Sequence, residues 1–266
     1  MTGRVAASVA EVTVVAPTGA SRTRTLELTN LGSATPYTVS TESADWLKVA
    51  PGSGTLAKNQ KTTLKITVSS NGVTAGTVRA GKLLIRSASG RQPVIEIAVK
   101  VVVPKHQVAV EVGGSRRVTD GAGDNWDLDK KYQTGGYGYV ANSSSTGSTN
   151  KTIKGTDDQS LFRTAREGML EYRFDRVPNG VYTVELDFAD IENTRPGRRV
   201  FDVLVEGELA IPALDLALEA GTYTAVSRQY TVRVSDGQLN VRFATREGST
   251  LVNAIRISER PDKAAS

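Results

Sequence analysis

The 266-residue sequence has no cysteine, a single histidine, and only two methionines and two tryptophans. Without cysteine there is no disulfide, no thiolate metal site and no cysteine nucleophile, so redox chemistry says nothing of compartment. With His106 the sole histidine, a Ser-His-Asp triad has one candidate base, and no G-x-S-x-G or comparable nucleophile turn accompanies it. His106 lies where one strand pattern ends and another begins, and reads as a surface residue of a hinge. Long apolar runs are missing too. A membrane helix needs about 20 such residues, and the best stretch, Val94 to Val103, is interrupted by Glu96 and Lys100. The opening MTGRVAASVAEVTV lacks the charged start and unbroken apolar block of a signal peptide. Runs of one charge are equally scarce. The net charge of +5 is spread over strand-like segments in which Arg and Lys alternate with apolar residues. That reads as solvated strand faces, not as the clustered stripe of a nucleic-acid surface. Neither nucleic acid nor membrane is an expected partner.

What is present is period-two alternation, repeated from end to end. Between Val9 and Val103 some seven short strands are separated by turn signals: Pro17-Thr18-Gly19, Asn30-Leu31-Gly32, Pro51-Gly52-Ser53-Gly54, Asn71-Gly72 and Ser89-Gly90. Seven strands in about 100 residues make an immunoglobulin-like β-sandwich, with Trp46 expected in its core. Pro104 cannot continue a ladder, and a new pattern starts at Val108. The expected organisation is all-β: two β-sandwich domains in tandem, residues 1–104 and 105–266. Each is large enough to bury a core without staples. The linker is so short that the two are expected to touch and hold a preferred angle.

The second half is organised around Leu161 to Val205. Tyr182, Val184, Leu186 and Phe188 alternate with Thr183, Glu185 and Asp187, which predicts a strand with one buried and one wet face. Pro178-Asn179-Gly180 predicts the turn before it, with Asn-Gly supplying positive φ. Phe201, Val203 and Val205 alternate with Val200, Asp202 and Leu204, as in a central strand. Residues 133–160, rich in Gly, Ser, Thr and Asn, read as one long loop, and loops of that length are usually functional or mobile. Tyr137 and Tyr139 stand out in it as rings with no evident strand.

These motifs carry a resemblance. Val110-Glu111-Val112-Gly113-Gly114, then Asp120, Gly123, Trp126, Asp127 and Tyr132, FRTxR from Phe162, YRF from Tyr172, VPNGxYTVxLxFAD from Val177, RVFDVLVEG from Arg199, VSDGxLNVRF from Val234 and a final NAIRI from Asn253 resemble the malectin family over residues 106–259. WLKVAPGSGTLAKNQKTTLKITV and RAGKLLIRS, upstream, are similar to BACON and related bacterial immunoglobulin-like modules.

The resemblance implies a jelly-roll sandwich that binds carbohydrate without catalysis, in a rim pocket where rings stack on sugar faces and polar groups hold the hydroxyls. Carried over position by position, it points to Tyr137 or Tyr139, to Phe162 where the family has tyrosine, and to Glu167, Glu192 and Asn193 where the family has aromatics. Arg195 lies on the same loop. The family acid before the last strand falls near Gly248-Ser249, with Glu247 the nearest carboxylate. The implied role of the Asp-rich segment is a loop folded over the sandwich with Trp126 beneath it. Asp120, Asp124, Asp127 and Asp129 are also candidate calcium ligands, although their spacing is not that of an EF-hand loop. Asp187, Asp190 and Glu192 are close enough in sequence to suggest a glycosidase pair, but Asp187 is expected to point outward on its strand and the others to edge a loop.

The expected function is therefore a pair of non-catalytic carbohydrate-binding modules, an accessory region of a secreted or cell-surface bacterial enzyme. Its partners would be an oligosaccharide and a catalytic domain of the same parent protein. The alternative is a structural or protein-docking appendage of a subtilisin-like peptidase or glycosidase. Replacing Tyr137 and Tyr139 together with alanine is expected to remove sugar binding and lower the melting temperature by no more than a few degrees.

Overall fold

The computed structural model describes residues 4–42, 45–88 and 92–263, so the Ser89-Gly90 turn lies outside the described residues. Packing divides the chain into two compact units, residues 1–105 and 106–266. Both are β-sandwiches.

In the first unit, the strands Val5–Ala7, Ser21–Asn30, Lys61–Ser69 and Leu47–Ala50 form one sheet. Glu11–Val15, Val94–Val103, Thr77–Ser87, Thr35–Thr41 and Ser53–Leu56 form the other. The alternation seen in the sequence supplies the core directly: Leu26, Leu28, Leu64, Ile66 and Val68 from one sheet meet Leu83, Ile85, Ile97 and Val99 from the other, all buried. Trp46 is buried as expected, and Gly81 makes room for it, since a Cβ there would stand 2.7 Å from the indole.

The second unit has a six-stranded sheet whose middle is Gln107–Glu111, Ala254–Glu259 and Gly180–Phe188, with Val226–Val234 on one edge and Asn125–Leu128 and Val118–Thr119 on the other. Facing it is a sheet ordered Tyr137–Val140, Glu171–Asp175, Gln238–Glu247, Val200–Val205, Glu208–Leu214. A short third sheet joins Ser145–Ser148, Thr164–Glu167 and Leu251–Val252. Phe188, Phe201 and Phe243 run through the core with ring centroids 6.3 and 6.4 Å apart.

Several expectations change here. Residues 133–160 are not one loop, because Tyr137–Val140 pairs along Glu171–Asp175 and Ser145–Ser148 along Thr164–Glu167. Tyr137 and Tyr139 thus have a strand of their own. The left-handed residue before Gly180–Phe188 is Arg176, at φ 56°, and neither Asn179 nor Gly180 adopts positive φ. Asn179 works through its side chain instead, donating to the Ser235 carbonyl (2.9 Å) and accepting from the Gly237 amide (3.0 Å). The face of Gly180–Phe188 expected to be wet is covered, with Thr183 and Asp187 both buried. The segment from Gly155 to Phe162, ending in the short helix Gln159–Phe162, lies over its Asp187 end, and Arg260 donates to Thr183 at 2.9 Å. His106 is half-buried, edge-on to Tyr182 at 6.1 Å, and not a surface residue. Burial pushes its pKa down.

Candidate functional site

The residues expected to touch a glycan fall in separate places. Tyr137 is half-buried, stacked on Phe174 at 6.1 Å and 19°, with the Lys130 ammonium 3.9 Å from the ring centre. Its hydroxyl donates to the Leu128 carbonyl at 3.1 Å. Tyr139 lies under the Arg166 guanidinium, 3.5 Å from its ring centroid. Arg166 in turn pairs with Asp129 at 2.7 Å and donates to Ser144 at 3.0 Å. The Tyr172 hydroxyl also donates to Asp129, and burial followed by that carboxylate pushes the phenol well above its ordinary pKa. Tyr139 is therefore a cover over a buried ion pair. Phe162 is a correction: only 4% exposed, in the last position of a one-turn helix whose apolar side faces the core, it presents no ring face at the rim.

Glu167 and Glu192 do come together, through a residue that the sequence did not single out. Arg199, only 6% exposed, places Nη2 at 3.1 Å from Glu167 Oε1 and 3.1 Å from Glu192 Oε2, and Nε at 3.7 Å from Asp190 Oδ2. Asp190 is buried rather than at a loop edge, and its Oδ1 accepts from the Glu192 amide and the Thr194 hydroxyl, both at 3.0 Å. That carboxylate ties the start of the loop to itself. Asn193 and Arg195 project from the same loop, exposed. Burial raises the pKa of Glu167, against the pull of Arg199. The rim is thus built of charge. Gly248, near the expected family acid, sits at φ 67°, and a Cβ there would run into the Arg198 carbonyl oxygen.

The Asp-rich loop serves structure. Asp120 accepts from the Trp126 indole N–H at 3.0 Å and from the amides of Ala122 and Asp124 at 2.9 and 2.8 Å. Asp124 pairs with Arg256 at 3.0 Å, Asp127 with Arg117 at 3.0 Å, and Asp129 with Arg166. The four carboxylates point to different partners, and among the described residues no group of three acidic or histidine side chains is arranged to hold a metal ion. Trp126 is 1% exposed beneath the loop, as the resemblance implied.

The malectin domain family model matches residues 106–263. The chain belongs to the malectin domain family. The viral BACON domain model matches residues 5–96. Receptor-like protein 4 of Arabidopsis thaliana is 33% identical over 163 residues, covering 55% of this chain and 26% of that protein. A probable LRR receptor-like serine/threonine-protein kinase of the same plant, At1g56140, is 38% identical over 100 residues, 33% of this chain and 10% of its own length. Among solved structures, a β-glucuronidase of Bacteroides uniformis aligns with a TM-score of 0.55 at 21% identity, covering 96% of this chain and 30% of that one. The chain therefore spans about a quarter of the first relative and under a third of that enzyme. Malectin and BACON domains are binding modules, and the comparisons support a carbohydrate-binding or extracellular domain.

Within the malectin domain, Glu111 is a buried acid that the rim does not use. Glu111, 2% exposed, accepts from the Thr164 hydroxyl, and its Oε2 is sealed from solvent. Burial, helped by Asp129, pushes its pKa up to about 7, with Thr164, Arg116 and the Gly114 amide opposing. The folded form holds this proton more tightly than the unfolded chain, so Glu111's contribution to stability is fully present below about pH 4.5 and is lost as pH rises through about 7. Glu111→Gln, which keeps the acceptor for Thr164, is expected to raise stability at pH 8 by about 1–2 kcal/mol. Urea melts at pH 5 and pH 8 check this, and a variant no more stable than wild type at pH 8 contradicts it.

Proposed function

We propose that the malectin domain is a non-catalytic glycan-binding module that uses the rim of Glu167, Glu192, Asn193 and Arg195. The observation that carries this is the hold of buried Arg199 on Glu167 and Glu192 at 3.1 Å each. Two carboxylates fixed from below, beside an exposed amide and an exposed guanidinium, form a prearranged set of acceptors and donors for sugar hydroxyls. Such prearrangement lowers the ordering cost of binding. The acids near the rim are committed to Arg199 and to loop amides, which supports binding over proton transfer. Tyr137 and Tyr139 have occupied ring faces, so their part is to hold the neighbouring strand, and only their free edges are offered to a ligand.

The partial coverage of longer relatives supports an accessory region of a larger protein. A glycan-array screen of the full chain, followed by calorimetry, tests the reading. Glu192→Ala with Arg195→Ala is expected to weaken binding of any hit at least about tenfold, which is about 1.4 kcal/mol. The melting temperature should hold, because both side chains are exposed. A blank array from folded protein would favour the protein-docking appendage instead. The double alanine change at Tyr137 and Tyr139 is a poor probe, since both rings pack on the domain.

A further inference from the structure

Away from the rim, a cavity of about 320 Å³ opens between the six-stranded sheet and the segment from Gly155 to Phe162. One side is apolar, made by Trp126, Leu161 and Phe162; the other carries Asp120, Asp158, Glu185 and Asp187. Arg256 is the one cation in the lining, and it is already committed, with Nη1 at 3.0 Å from Asp124, Nη2 at 2.7 Å from Glu185, and its guanidinium 4.7 Å from the Trp126 ring centre. Asp120 is spent on the Trp126 indole and two loop amides, and Asp158 Oδ1 accepts from the Gly121 amide at 2.6 Å.

Asp187 differs from its neighbours. It is 4% exposed, and Oδ1 accepts from the Ser227 hydroxyl at 2.5 Å. No donor among the described residues reaches Oδ2, which, unlike Oε2 of Glu111, is not sealed away. A buried carboxylate oxygen without a donor is costly to keep. Burial, with Glu185 and Asp158 adding repulsion, pushes Asp187 up to about 7, against the hydrogen bond from Ser227 and the charge of Arg256. A ligand seated here would need a donor for Oδ2, and the surplus of acids favours a positive one. A metal ion does not suit the arrangement, since no three acids converge among the described residues. The apolar wall suits a carbon skeleton.

We propose that this cavity binds the ammonium head of a small organic amine, with Asp187 Oδ2 accepting an N–H and Trp126, Leu161 and Phe162 covering the carbon chain or ring. The site shares no residue with the rim and does not depend on the glycan reading. Pairing requires the ionised carboxylate, so amine binding draws a proton off Asp187 near neutral pH and weakens as acid returns it.

The test is calorimetry of the full chain at about pH 7.5 with n-butylammonium and with glucosamine, using 1-butanol and glucose as uncharged counterparts. The amines are expected to bind and their counterparts to bind at least about tenfold more weakly. Tighter binding of glucosamine assigns an amino sugar, and tighter binding of n-butylammonium an alkylamine. Affinity for n-butylammonium should fall about tenfold for each pH unit below the Asp187 midpoint. Asp187→Asn, which keeps an acceptor for Ser227, should lose at least about tenfold. Carbon NMR of the wild-type carboxyl needs no variant to fold: saturating amine should lower the Asp187 midpoint by at least about one pH unit. Equal binding of n-butylammonium and 1-butanol, an unmoved midpoint, or a folded Asp187→Asn that binds as wild type would each overturn the proposal. Glu192→Ala with Arg195→Ala should leave amine binding unchanged, which separates this site from the rim.

Discussion

Alanine in place of Asp129 is expected to destabilise the malectin domain by about 3–5 kcal/mol, the usual cost of stripping one partner from a buried ion pair. Asp129 has only 1% of its side chain exposed, and Arg166, at 11%, donates to it at 2.7 Å. The carboxylate also accepts from the Tyr172 hydroxyl and from the Gly113 amide at 2.9 Å. Removing it leaves a guanidinium, a phenol and an amide without their acceptor at once. Tyr139 packs over the Arg166 guanidinium, 3.5 Å from its ring centroid. At roughly 2–4 °C per kcal/mol for a domain of this size, the melt should shift by about 6–20 °C. Calorimetric scans of wild type, Asp129→Ala and Asp129→Asn check it, and the asparagine variant, which keeps an acceptor but loses the charge, should fall between the other two. A loss below about 1 kcal/mol for the alanine variant would mean that the pair is worth no more than one at the surface.

Asn253→Ala should be nearly as severe, at about 3 kcal/mol, from about 1–3 kcal/mol for each buried polar group left unsatisfied. Asn253 is fully buried. Its amide donates to the carbonyls of Phe162 at 3.0 Å and Thr164 at 2.8 Å, and its oxygen accepts from the Ala189 amide at 2.7 Å. Those contacts fasten the chain on two sides: Phe162 walls the acidic cavity, and Ala189 leads into Asp190 and the rim loop. Hydrogen exchange at Ala189 should therefore accelerate together with the loss of stability, and both amine and glycan binding should weaken. Rapid exchange at Ala189 with binding intact would show that the sites do not depend on this clasp. Aspartate is no rescue, because it cannot donate to either carbonyl.

Much of the fold was legible because sandwich strands announce themselves by a period of two, with turns of Gly, Pro, Asn and Asp between them. Leu26, Ile66, Ile97, Tyr172, Phe188 and Phe201 are all buried where alternation placed them. Trp126 was placed by motif order, and Asp120 meets its indole as a loop folded over the ring requires. The site was far less legible. Position-by-position transfer brought Glu167, Glu192 and Asn193 to notice, yet Arg199, which gathers the first two, was read only as the start of RVFDVLV. Nothing in the local sequence marks Asn253 as a clasp. Both act on backbone or side chains remote in sequence, and no local pattern marks such a partner.

By itself, the amino-acid sequence determined an all-β chain of two sandwiches, with strands, most turns and the core set by side-chain volume and polarity repeating along an extended backbone. Tertiary structure alone decided what covers each face. Alternation tells that Thr183, Glu185 and Asp187 share one side of a strand, but whether that side meets water depends on a segment some 30 residues earlier folding across it. Likewise Tyr137 and Tyr139 became a strand only because Glu171–Asp175 offered them an edge to pair with. Burial, ion pairing and the shifted carboxyls of Glu111 and Asp187 are sums over neighbours distant in the chain, and those sums exist only once the sheets have packed.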